Sequence, residues 1–302
     1  MPKIIELETD LPGYLFRPKE EGVYPGVVFI HGSGGGSSNF INLPGAPPRP
    51  TGKEASFVKA AQAYAQKGFV SLAFSYFDFP SAKSTSMTPP FELVRIDIKQ
   101  LTETAISQLR SLDCVDSSSV GLCGFSRGAE QSLLLASLTH PSSTGRPDFV
   151  VAISPTAHIW GGISKETAER FKQGETFEWP SVPAWCYDGV ELPMNTEIAL
   201  EKIDMPVLIS TLTTDPVWNI SNSHLDIQAR WRKHGLAFTE VQLKDTKAPL
   251  SNTALPHSDR VLVTMEAEGH CAPDAHIYPH LDTAFKSLVC EFILHHSQST
   301  NT

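Results

Sequence analysis

Apolar positions along this chain follow two alternating rhythms. Gly26–Ile30, Phe69–Tyr76, Ser119–Cys123, Phe149–Ser154 and Pro206–Leu212 are short, almost continuously hydrophobic and rich in β-branched residues, the pattern of buried strands. Lys3–Glu8 and Tyr14–Arg17 predict two opening strands, Phe238–Leu243 and Val261–Glu266 two late ones. Between these runs the spacing changes to three and four. Phe57, Val58, Ala61 and Ala65 share one face of a helix predicted over Glu54–Lys67, with Gly68 where a C-cap wants it. Val94, Ile98, Leu101, Ala105 and Leu109 define a long amphipathic helix over Glu92–Ser111. Glu130–Leu138 predicts an apolar helix and Asp282–His295 a closing one.

Strand–helix alternation with strands this apolar predicts an α/β fold, a mostly parallel sheet covered by helices on both faces. One domain spanning residues 1–302 is expected. Three stretches break the rhythm. Asn42–Gly52 is rich in Pro and Gly and predicts an irregular loop. The segment 156–203 carries Trp160, Trp179, Trp185 and Tyr187 among prolines and glycines. It is too long for an ordinary connection and predicts a lid-like insertion. Its aromatic residues either line a substrate pocket or form the lid's own core. A third insertion, 245–259, suggests no function.

Composition narrows the partners. Hydrophobic residues make up 41% and charged residues 19% of 302 residues, a globular balance. The formal net charge is −9, with no run of Lys or Arg. That argues against nucleic acid or an anionic membrane surface, both of which need a concentrated basic patch. No apolar run approaches the roughly 18 residues of a membrane span, and the first ten residues lack a signal-peptide core. The five cysteines are odd in number, scattered and without a C-x-x-C pair, which argues against a disulfide framework or a zinc knuckle. A cytoplasmic protein is expected.

The chemistry concentrates in Gly124-Phe125-Ser126-Arg127-Gly128. A G-x-S-x-G sequence between a strand and a helix makes a sharp turn that thrusts the serine hydroxyl out at the carboxyl edge of the sheet. The helix start adds backbone N–H groups and the positive end of a dipole where an oxyanion forms. His31–Gly36 (HGSGGG) follows the first buried strand of the alternating series. It lacks the Lys-Ser/Thr ending of a P-loop and the spacing of a dinucleotide fingerprint. Such a turn supplies a second oxyanion donor, from Ser33 or Gly34, beside the N–H of Arg127.

A serine hydroxyl needs a base, and the base an orienting acid. With the order serine, acid, histidine, Asp215 after the strand Pro206–Leu212 is the candidate acid. His270, preceded by Gly269 at the end of the last predicted strand, is the candidate base. His276 and His280 are four apart, but Pro279 between them disfavours a shared helix face and no third metal ligand stands out. No metal or organic cofactor is expected. Cys271 is incidental beside His270. Glu130 is either a first-turn helix charge or part of a buried polar contact; the Arg127 side chain either meets an anionic substrate group or, as is expected first, sits at a solvated surface.

These residues resemble those of the α/β-hydrolase superfamily. Within it, the chain is similar to the catalytic domain of acyl-CoA thioesterases and bile-acid-CoA:amino-acid acyltransferases, with dienelactone hydrolases as broader relatives. The matching stretches are Pro25–Val28 running into Gly32–Gly36, Gly68–Val70 leading to Phe74–Tyr76, Val120–Leu122 leading to Gly124–Glu130, Asp215 with Trp218, and Glu268–His270. The resemblance implies the α/β-hydrolase fold, with Ser126 as nucleophile, Asp215 as acid and His270 as base of a serine esterase or thioesterase acting on a small-molecule acyl substrate. The thioesterases carry an N-terminal β-sandwich domain, whereas the first matching stretch here begins at Pro25. The acyltransferase branch uses a cysteine nucleophile, so Ser126 favours transfer to water. A peptidase or amidase, an acyltransferase and a non-catalytic binding protein stay open as alternatives.

Overall fold

The computed structural model describes residues 4–33, 53, 55–76, 93–164, 166–167, 170, 173, 182–215, 223–245, 258–270, 272–273 and 279–298. The Asn42–Gly52 loop, Trp179, Trp218 and most of the 245–259 insertion lie outside them.

The opening strands are β1 (Ile4–Leu7), β2 (Gly13–Pro18), β3 (Tyr24–Ile30) and β4 (Val70–Phe74). Helix α1 (Ser56–Ala65) lies between β3 and β4. Strand β5 (Ile96–Asp97), helix α2 (Ile98–Arg110), strand β6 (Val115–Phe125), helix α3 (Arg127–Leu138) and strand β7 (Val150–Ile153) follow. The insertion contributes β8 (Trp185–Tyr187) and β9 (Val190–Glu191). The last part comprises β10 (Val207–Thr214), α4 (Ser223–Lys233), β11 (Thr239–Leu243), β12 (Arg260–His270), β13 (Ala272–Pro273) and α5 (Pro279–Gln298).

Ten strands form one sheet in the order β1-β2-β4-β3-β6-β7-β10-β12-β11, with β13 paired to β12. Pairing is antiparallel for β1–β2, β2–β4 and β12–β13, and parallel from β4 through β11. The parallel strands therefore all end at one edge.

Side chains alternate across the sheet into two cores. Val28, Ile30, Leu122 and Val150 face one cluster together with Ile98, Ile106 and Leu109 of α2, Leu133 of α3 and Trp231 of α4. Val27, Phe29, Cys123 and Val151 face the other, with Val58 and Ala61 of α1 and Phe285, Val289 and Phe292 of α5. Strands buried on both faces read as continuous apolar runs because neither side of the pleat meets water.

Helix boundaries follow local chemistry. α1 ends in a Schellman motif: the Phe69 N–H donates to the Tyr64 carbonyl at 3.3 Å and the Gly68 N–H to that of Ala65 at 3.4 Å. Gly68 has φ +97°, a conformation glycine adopts without steric cost. α2 does not begin at Glu92 as its apolar spacing predicts. Asp97 caps it, its Oδ1 accepting from the N–H groups of Lys99 and Gln100 at 3.1 and 3.2 Å. The preceding residues pair with the insertion instead: Leu93 bridges Ile163, and β5 pairs in parallel with β8. α5 starts at Pro279, a residue suited to the first helical position because its missing N–H would have no acceptor there. His280 is thus in the first turn, and His276 lies outside the described residues.

Among the described residues no helix is long and apolar enough to cross a membrane, and no group of three or more His, Cys, Asp or Glu is placed to hold a metal.

Gly121 on β6 has no room for a side chain. A Cβ there would collide with the Phe149 ring and lie 2.5 Å from the Phe149 carbonyl oxygen. Gly121→Ala is expected to destabilise the fold by about 1–3 kcal/mol, as overpacking in a dense core does. Urea denaturation of the two proteins measures the difference.

Candidate active site

Strand β6 carries the chain to the carboxyl edge of the sheet and α3 begins two residues later, with Ser126 at the joint. Ser126 has φ 54° and ψ −115°, a combination that costs an L-residue about 1–3 kcal/mol and persists only where the surroundings impose it. Here they do. The Ser126 N–H donates to the Ile153 carbonyl on β7 at 2.9 Å, and the Ser126 carbonyl accepts the Glu130 N–H at 3.0 Å.

The two motif glycines explain why the turn closes so tightly. A Cβ on Gly124 would collide with the Gly128 carbonyl, and one on Gly128 with the Ile30 carbonyl at the end of β3. The first turn of α3 therefore rests on the backbone of β3. The Ser126 side chain is buried, and its Oγ has no hydrogen-bond partner among the described residues.

The predicted glycine turn lies against this serine. A Cβ on Gly32 would lie 3.0 Å from the Ser126 Cβ and 3.5 Å from its Oγ. His31 is buried and stacks on Tyr76, with ring centroids 4.3 Å apart and planes 8° from parallel. Its Nδ1 donates to the Gly32 carbonyl at 2.8 Å. A neutral ring then accepts at Nε2 from the Ser75 hydroxyl, 3.1 Å away. Ser33 follows, half-buried, while Gly34 lies outside the described residues.

Asp215 is buried and follows β10 directly. His270 is the last residue of β12, the strand next to β10, and its backbone pairs with Ala272 of β13. Its ring lies outside the described residues. The topology brings the backbones of Ser126, Asp215 and His270 to the same sheet edge, at the ends of β6, β10 and β12.

One expectation is overturned. The Arg127 side chain is not solvated: it is fully buried and forms an ion pair with Glu130, also fully buried, at 2.7 Å. Glu130 takes the buried-polar alternative of the two open to it. Its Oε1 accepts from the Trp160 N–H and from the Trp185 indole N–H, both at 2.9 Å. The Arg127 guanidinium donates to the carbonyls of Trp160 and Gly161 at 3.3 and 3.1 Å, and lies 5.1 Å from the Trp185 ring centroid. Burial pushes the Glu130 carboxyl above the ordinary carboxylate value, opposed by the Arg127 charge and the two N–H donors.

These roles of Trp160, Trp185, His31 and Tyr76 were not assigned from sequence. The usable signal was a charged pair three residues apart on an otherwise apolar helix, followed by a tryptophan-rich insertion.

Comparisons with known proteins agree with this architecture. No family model matches the chain. Human acyl-coenzyme A thioesterase 1 is 30% identical over 164 residues, covering 54% of this chain and 30% of the relative. The aligned part thus spans less than a third of that relative's length. Among solved structures, a dienelactone hydrolase-like promiscuous phosphotriesterase from metagenomic libraries superposes with a TM-score of 0.51 at 15% identity, covering 98% of each chain. The acylaminoacyl peptidase of Pyrococcus horikoshii superposes with a TM-score of 0.55 at 14% identity, covering 97% of this chain and 41% of that one. The chain has the α/β-hydrolase fold. Within it, the sequence likeness runs to the acyl-CoA thioesterases.

Replacing the strained serine by glycine removes both the hydroxyl and the conformational penalty. Ser126→Gly is expected to be more stable than the parent by about 1 kcal/mol, the relief of backbone strain offset in part by glycine's larger chain entropy. Thermal and urea melts test this directly.

Proposed function

We propose that this protein is a serine hydrolase that cleaves a carboxylic ester or an acyl thioester through Ser126, Asp215 and His270. The observation that carries the proposal is Ser126 itself, held at positive φ between β6 and α3 with its Oγ unpartnered among the described residues. Strain of this kind at a strand–helix joint aims a hydroxyl beyond the sheet edge, and the close packing of β3, β6 and α3 holds it there. Asp215 and His270 support the reading by their chain order and their common sheet edge.

In the proposed reaction, His270 takes the Ser126 proton as Oγ attacks the substrate carbonyl. The backbone N–H of Arg127 and that of Ser33 or Gly34 stabilise the oxyanion. Collapse of the tetrahedral intermediate breaks the bond to the alcohol or thiol, which leaves with the proton from His270. Water, deprotonated by His270, then attacks the acyl-enzyme, and release of the carboxylic acid regenerates Ser126. Asp215 holds the imidazole in the productive tautomer and stabilises its charged form. The chemistry needs no metal.

The likeness to acyl-CoA thioesterases favours an acyl thioester among the substrates. The free thiols of Cys114, Cys123, Cys186 and Cys290 fit a reducing compartment such as the cytoplasm.

A panel of p-nitrophenyl esters and acyl-CoA thioesters of increasing chain length tests the proposal. Ser126→Ala, Asp215→Asn and His270→Ala are each expected to lower kcat by roughly 10⁴-fold while remaining folded. Turnover that survives in Ser126→Ala on every substrate would remove the nucleophile from the mechanism. Near-normal activity in His270→Ala would move the base to another histidine, His257 or His276 first.

A further inference from the structure

We infer that Glu130 is a positioning residue for the oxyanion site: acting through Arg127, Trp160 and Trp185, it fixes the first turn of α3 against the insertion and joins the two candidate donor turns into one rigid unit. This inference rests on the serine-hydrolase reading and adds to it a role for the insertion.

Two charges are held here with no exposed side-chain surface. A buried ion pair is on balance no more stabilising than well-packed apolar residues of the same volume, so stability alone does not account for it. Its partners do. The pair's charged groups bind the insertion: the Trp160 N–H and carbonyl, the Gly161 carbonyl and the Trp185 indole. The pair thus ties residues 127 and 130, immediately after the candidate nucleophile, to the segment Trp160–Trp185.

The chain of contacts continues to the other donor turn. Trp185 packs on Tyr76, with ring centroids 5.8 Å apart, and Tyr76 stacks on His31, which holds the Gly32 carbonyl. The turn at His31–Ser33 and the helix start at Arg127 are thereby linked through the same two aromatic rings. First-turn N–H groups have no intrahelical acceptor, so the direction of the Arg127 N–H is set by how its peptide is held. An oxyanion donor is effective only within a few tenths of an ångström of its required position, and a shift of about 1 Å costs on the order of 10²-fold in rate.

The test uses Glu130→Gln, which keeps an acceptor for both N–H groups but removes the charge facing Arg127, and Trp185→Phe, which keeps an aromatic ring but removes the indole donor. Three quantities are read on folded protein well below its melting temperature. They are kcat, KM, and the rate of covalent capture by a fluorophosphonate, whose P=O occupies the oxyanion position. Ser126→Ala serves as the blank. The expected result is a fall in kcat of roughly ten-fold or more in Glu130→Gln and several-fold in Trp185→Phe. KM should stay within about three-fold, and fluorophosphonate capture should slow in parallel with kcat. Folded variants that melt earlier but match the wild type in kcat and capture rate would make the pair merely structural and overturn the inference. If Glu130→Gln does not fold, Trp185→Phe decides. Absence of Ser126-dependent turnover and capture in the wild type itself would instead sink the serine reading, and this inference with it.

Discussion

The structure depends on one steric constraint: the first turn of α3 sits directly on the backbone at the end of β3, with no side chain between them. Gly128 touches the Ile30 carbonyl, and Gly124 touches Gly128 in turn. Any larger residue at either position would lift the helix away from the sheet. With both in place, the chain must reverse within one residue, and that residue is forced to positive φ. The strain at Ser126 is therefore a product of close packing between β3, β6 and α3. The same packing brings the His31–Ser33 turn against the serine, because that turn is the continuation of β3. One contact between two backbones thus sets the position of the candidate nucleophile and of both candidate donor turns.

Polar interactions act on this frame rather than create it. Arg127 at the start of α3 places a positive charge at the positive end of a helix dipole, an arrangement unfavourable by itself. Glu130, one turn on, offsets it, and the insertion supplies the remaining donors and acceptors. The insertion contacts α3 through tryptophans because an indole combines a large apolar face with one N–H. In Trp185 the ring packs on Tyr76 and Arg127 while its N–H meets the carboxylate.

Much of this was legible in the sequence for a definite reason. Strands buried on both faces, as Val27–Ile30 and Val150–Ile153 are, produce uninterrupted apolar runs. Helices with one buried face produce the three-and-four spacing of Val58, Ala61 and Ala65. Ser126 and its glycines were readable because the turn tolerates so few residues. The start of α2 was not, since the apolar Val94 continues the helical period while Asp97 alone marks the cap. The Arg127 side chain was misplaced for a related reason. Burial of a charge is decided by a partner distant in sequence, here residues 160, 161 and 185, and nothing at position 127 itself announces it. Strand β11 was found, but its place outside β12 depends on pairing across a long connection, which no local pattern encodes.

That strand order has a consequence for how the chain reaches its native state. β12 lies between β10 and β11, although both are made before it. Until residues 260–270 arrive, β10 has an open edge on that side and β11 has no neighbour in the sheet. An exposed, hydrophobic parallel edge is prone to pair with other chains. Closing it and bringing the ends of β10 and β12 side by side are the same event. The sheet is sealed in the step that assembles Asp215 and His270 at its edge, so any intermediate that still exposes this sticky edge also lacks the acid–base half of its candidate site.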